Sequence, residues 1–131
     1  GNYGNVNESS ATYVSYVFSE VSSYSKFGSY TGNGSSDGTF VFTGFRPAYV
    51  LIKATTTTEN WRLFDNKRNT FNQVNKHLFP STAGAESTET GLDFVANGFK
   101  FRDGDAHQNG SGHTYIYLAF SESPFKNARA R

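Results

Sequence analysis

The segment most like a metal loop is Asp103-Gly104-Asp105-Ala106-His107-Gln108-Asn109-Gly110. Asp-x-Asp followed by Asn-Gly places hard oxygen donors at alternate positions, the arrangement that wraps a calcium ion. Asp103, Asp105 and Asn109 are the candidate ligands. The EF-hand pattern is incomplete, because no acid stands at the third ligand position and Thr114 takes the place of the terminal Glu. A solvated Asx-rich turn accounts for the same residues without a metal. The expectation is therefore no cofactor, with calcium the one candidate. The three histidines, His77, His107 and His113, lack the His-x-x-x-His spacing of a helical zinc site and read as surface or hydrogen-bonded loop residues.

Hydrolysis of a glycosidic bond needs two carboxylates flanking it. Glu20, Asp37, Glu59, Asp65 and Asp93 form no such pair by context, and Asp93 has a partner of its own in Arg102. Neither a Gly-x-Ser-x-Gly elbow nor a Gly-Lys-Ser/Thr phosphate loop occurs, and the expectation is a non-enzymatic protein. Sugar binding asks for a ring beside amide and carboxylate groups. Trp61, the only tryptophan, supplies that with Asn60, Asp65 and Asn66. The competing reading puts Trp61 in the core.

The elements that must position these residues read as strands. Of 131 residues 36% are hydrophobic and 17% aromatic, with 13 Phe and 8 Tyr, so rings supply about half of the apolar content. Aromatic and β-branched runs separated by Ser, Asn and Gly indicate an all-β chain. Tyr13 to Val21 reads as a strand apolar on both faces, and Thr39 to Thr43 as a strand with Phe40 and Phe42 on one face. Ala48 to Ala54 is nearly continuous in apolar residues and reads as central, with Pro47 breaking the chain before it. Asn60 to Asp65 reads as a strand anchored by Trp61, and Thr114 to Phe120 as another apolar on both faces, ended by Pro124. Residues 66–90 read as a long irregular excursion with anchors at Phe71, Val74, Leu78 and Phe79.

Leu92 to Arg102 carries Asn97-Gly98 between alternating segments, a strong hairpin signal. A turn at Asn97-Gly98 pairs Ala96 with Phe99, Phe94 with Phe101 and Asp93 with Arg102. Leu92, Phe94, Ala96, Phe99 and Phe101 then share an apolar face. These elements predict an antiparallel β-sandwich, jelly-roll-like, of about seven to nine short strands with long polar loops. Residues 1–11 form a linker or arm, 12–126 the sandwich, and 127–131 a short basic tail.

Composition excludes several functions. Twelve Lys+Arg against 11 Asp+Glu give a net charge of +1, too little for a partner such as nucleic acid. The rings beside cations at Trp61-Arg62 and Phe99 to Arg102 lack a surrounding basic patch. With no Cys, thiolate metal sites, disulfides and Cys nucleophiles are impossible. No apolar run approaches the roughly 20 residues of a membrane span, and residues 1–10 carry no signal-peptide pattern. The absence of Met fits equally the loss of an initiator Met before Gly1 and a segment cut from a longer polypeptide.

Five segments in order carry a family resemblance: Tyr16 to Glu20, Tyr24 to Gly34, Gly44 to Lys53, Leu92 to Arg102 and Thr114 to Phe125. Across residues 13–126 the chain resembles an uncharacterised domain of virion structural and tail-fibre-like proteins of marine bacteriophages. In those proteins the domain often follows a concanavalin-like lectin module. The resemblance implies no catalytic residues. It implies a virion or extracellular location and a structural module of a fibre or capsid appendage. That module would act in self-assembly as a homo-oligomer, a trimer favoured, with other virion proteins and a host-surface glycan as partners. Two alternatives stand beside it. One is an extracellular carbohydrate-binding module. The other is a self-assembling filament subunit whose arm, Gly1 to Ala11, adds a strand to a neighbour.

Overall fold

The computed structural model describes residues 8–123, and among them every regular element is a strand. The eight strands are β1 (Ser25–Thr31), β2 (Phe40–Phe42), β3 (Pro47–Ala54), β4 (Arg62–Asp65), β5 (Val74–Leu78), β6 (Ser87–Val95), β7 (Gly98–Phe101) and β8 (Thr114–Ser121). They form one antiparallel sheet in the order β1-β8-β3-β4-β5-β6-β7-β2. From β3 to β7 the chain is a meander. It then returns, laying β8 beside β3, with β1 on the far side of β8.

The two end strands approach each other, so the sheet curls into a nearly closed sandwich. Thr39 Oγ1 donates to Thr31 O at 3.0 Å across the gap. The Tyr30 ring of β1 stacks on Phe101 of β7 at 5.1 Å and on Tyr115 of β8 at 5.0 Å, 12° from parallel. Phe99 meets Tyr117 edge-on at 5.5 Å. Each such pair adds about 0.5–1.5 kcal/mol beyond the apolar area it buries, which is how a chain poor in aliphatics fills a core. Around the rings lie Val50, Ile52, Phe64, Val74, Leu92 and Phe94, all buried.

Expected strands at 39–43, 48–54 and 114–120 are present as β2, β3 and β8, with Pro47 starting β3 rather than interrupting it. Central placement of β3 holds, between β8 and β4. Three readings are corrected. Residues 13–20 form no strand; they run along the surface, with Val14 and Val17 78% and 88% exposed. In β2 Phe40 and Phe42 share one face as expected, the outward one, and Val41, 5% exposed, faces the core. Residues 66–90 are not structureless, because β5 and the start of β6 lie there. A register shift between Val74 and Lys76 breaks the alternation that would have marked β5.

The hairpin register also differs. Observed partners are Val95 with Gly98, Phe94 with Phe99, Asp93 with Lys100 and Leu92 with Phe101, two residues from the expected pairing. Ala96 and Asn97 therefore form the turn, and neither has a positive φ. Gly98 serves another purpose: a Cβ on it would collide with the Val41 carbonyl oxygen of β2. Leu92, Phe94, Phe99 and Phe101 are all buried as expected, because a shift of two preserves the face, whereas Ala96 is exposed. Arg102 still pairs with Asp93, donating from Nε at 2.6 Å. Expectations for the arm at residues 1–7, for Pro124 and for the basic tail lie outside the described residues.

Candidate functional site

Trp61, immediately before β4, and Asp65 within it alternate with Leu63 in a row on the outward-facing side. That row meets Tyr49 and Leu51 of β3, since Leu51 pairs with Leu63 and Tyr49 with Asp65. The result is a pair of shallow hollows on the outer face. One of about 270 Å³ is lined by Leu51, Trp61, Pro80 and Ser81. The other, of about 630 Å³, is lined by Tyr49, Leu63, Asp65, Arg68, Leu78 and Glu86 among others. Trp61 is half-buried here and is not a core residue, against the competing reading of its role.

The second hollow has a charged rim. Asp65 Oδ1 accepts the N–H groups of Lys67 and Arg68, both at 2.8 Å, and Oδ2 faces Arg68 Nε at 2.9 Å. Arg68 continues to Glu86 at 3.1 Å. The other two candidates do not join this surface. Asn60 is exposed in the approach to β4, and Asn66 is buried, donating from Nδ2 to Glu122 Oε1 at 2.9 Å. Tyr49, Leu51, Leu63, Arg68 and Glu86 were not singled out from the sequence. The period-two alternation of β3 and β4 was the signal that could have found the first three.

The Asp103 to Gly110 loop is an internally bonded plug at one end of the core. Asp103 is buried, and its Oδ2 accepts from Gln108 Nε2 at 2.5 Å. Asn109 is fully buried. Its Nδ2 donates to Asp103 O at 2.6 Å, to Asn33 Oδ1 at 2.9 Å and to Ser35 O at 3.0 Å, and its Oδ1 accepts from Asn33 N at 3.1 Å. Asp105 is exposed. Two core tyrosines hold the loop from beneath, Tyr30 donating to Gln108 O at 2.7 Å and Tyr115 to Ala106 O at 2.6 Å. Asn109 thus ties this loop to the β1–β2 connection. Among the described residues no three His, Asp or Glu side chains are grouped to hold a metal ion.

Behind this loop lies a charged cluster. Arg62 points inward from β4, 4% exposed, and pairs with Glu89 of β6 at 2.8 Å while its guanidinium lies 5.5 Å from the Phe79 ring. His77 of β5 is fully buried, a correction to its reading as a surface or loop residue. Neither of its ring nitrogens makes a hydrogen bond of normal geometry. Burial, then the Arg62 charge, push the His77 pKa down, so the ring is held neutral. Burial pushes Asp103 up to about 6, against the opposing hydrogen bond from Gln108. At the rim His107 Nδ1 contacts Glu59, and His113 Nδ1 lies 3.2 Å from Thr56 Oγ1.

The fold and these surfaces define an all-β antiparallel domain with an aromatic core, a polar plug at one end and a hollowed outer face. The chain belongs to the family described as a domain of unknown function, DUF7483, whose model matches residues 1–124. No curated protein and no solved structure matches it.

Proposed function

We propose that this chain is a non-enzymatic structural module of a phage fibre or capsid appendage, working by self-association outside the cell. The supporting observation is the outer face of the sheet. Phe27, Leu118, Phe120, Tyr49, Leu51, Leu63 and Leu78 lie there half-buried, and Ile116 is 38% exposed. An antiparallel sheet with one face on the core normally turns polar residues to water on the other. Apolar residues on both faces indicate a surface that another body covers. The resemblance to virion domains supplies the setting, and a trimer is the expected species. Analytical ultracentrifugation of the chain should show a concentration-dependent shift from monomer to a closed oligomer. A monodisperse monomer at several hundred micromolar would overturn the reading.

The hollow beside Trp61 favours a second reading, a carbohydrate-binding module in which the indole stacks on a sugar. Trp61→Ala should then abolish binding to purified bacterial surface polysaccharides at unchanged melting temperature. Equal binding by variant and parent would remove Trp61 from the site.

A further inference from the structure

We infer that His77 is an acid-operated latch: protonation of its ring frees the outer part of the β5–β6 hairpin, residues 75–90, from β4 and takes apart both hollows of the outer face. Among the described residues from Asn75 to Thr90, His77 is the only one buried. The base of the hairpin is firmly held, since Val74 is buried opposite Leu92 and Asn72 bonds both backbone groups of Phe94. Beyond that base a single ionisable ring ties the hairpin into the core. The ladder to β4 is short, with Leu63 to Leu78 and Phe64 to His77 as its partners.

The surroundings of that ring do not accommodate a charge. It lies between Phe64, at 5.3 Å, and Phe79, at 4.9 Å, and neither nitrogen makes a hydrogen bond of normal geometry. The charged and titratable groups that face it are Arg62 of β4, Glu89 of β6 and His107 of the 103–110 loop, itself paired with Glu59. Asp103 on that loop faces Arg62. Lys76, next to His77 on β5, alternates to the other face, 3.7 Å from Glu86. Glu89 Oε2 stands 2.8 Å from Arg62 Nη1 and 4.0 Å from His77 Nε2. With His77 neutral, Arg62 and Glu89 balance, and their pair is a second fastening between β4 and the hairpin. A proton on His77 sets two cations in contention for one carboxylate inside the core, where unbalanced charge is costly.

Opening relieves the conflict, because an imidazole in water takes its proton freely. The ordinary value for the ring is 6.5, and burial holds it below that in the closed form. A pKa so depressed means closure stabilised fully above the open-state value and less as pH falls toward the closed-state one. The open form therefore gains, by up to about tenfold per pH unit, below pH 6.5. What leaves with the hairpin is part of the lining of both hollows: Leu78 and Glu86 of one, Pro80 and Ser81 of the other. A ligand or partner seated on that face is released in acid. The latch itself needs no occupant to work.

The test uses the whole chain, titrated from about pH 7.5 to about pH 4.5. Trp61, the only tryptophan, lines one hollow with Pro80 and Ser81 and so reports on it directly. Its emission maximum should move reversibly to the red below about pH 6.5, with far-UV circular dichroism retained. Amide protection at residues 76–78 should fall by up to about tenfold per pH unit and end below that of β3 and β8. His77→Phe and His77→Gln, one apolar and one polar, remove the titrating ring, and whichever keeps the parent's circular dichroism should lose both responses. Either response surviving in such a variant overturns the latch. The parent alone also decides: protection at 76–78 that is unchanged across the titration, or no lower than that of β3 and β8 in acid, overturns it as well.

Discussion

Asp103 shows how much one buried carboxylate can decide. Its ordinary pKa of 3.8 rises to about 6 because burial penalises the charge more than the Gln108 hydrogen bond relieves it. A pKa raised in the folded state means a stabilising contribution complete below the unfolded value and lost as pH rises through the folded one. Stability should therefore fall between about pH 4 and pH 6 on account of this group. His77 acts in the opposite direction, since its pKa is lowered by burial and the unfolded chain gains its proton first as pH falls. The comparison that isolates Asp103 is Asp103→Asn against the parent, in which the His77 contribution cancels. The variant should gain about 1–3 kcal/mol at pH 7 and little at pH 4. Urea denaturation at the two pH values measures it, and an equal change at both would contradict the assignment.

At the scale of elements, the β6–β7 hairpin separates two roles that a dipeptide signal merges. Asn97-Gly98 indicated a hairpin and correctly so, but Gly98 sits inside β7, where the Val41 carbonyl of β2 leaves no room for a Cβ. Register depended on β2, a neighbour distant in sequence, and not on the turn alone. Gly98→Ala should destabilise the chain by about 1–3 kcal/mol, the range for overpacking a fitted site. It should do so by loosening β2, with amide exchange at Thr43, which donates to Asn97 O at 3.0 Å, rising first. Unchanged exchange there would show that the close approach carries no cost. The asparagines of residues 66–75 teach the same lesson. They recur every third residue and gave no period-two strand signal, yet Asn72 bonds both backbone groups of Phe94 through its side chain, at 2.9 and 3.0 Å, acting in place of a strand residue.

At the scale of the whole molecule, strand content, the aromatic core and the inward face of β6 and β7 were legible, because period two survives errors of two in register. Half of the Trp61 surface was legible too: residue 61, just before β4, and residue 65 within it fall on one side by alternation alone. Asn60 and Asn66 were not separable from them by type. Only burial of Asn66 against Glu122, 56 residues away, distinguished it. The polar plug and the Arg62–His77–Glu89 cluster join β4, β5, β6 and a distant loop, contacts that no local pattern encodes. Segment 12–18 is the reverse case. Its apolar, β-branched character is unmistakable locally, yet it forms no strand among the described residues. Local composition thus decided what each segment prefers to be, through propensity and alternation. The tertiary structure decided which preferences are satisfied within one chain, because pairing and burial depend on neighbours far apart in sequence.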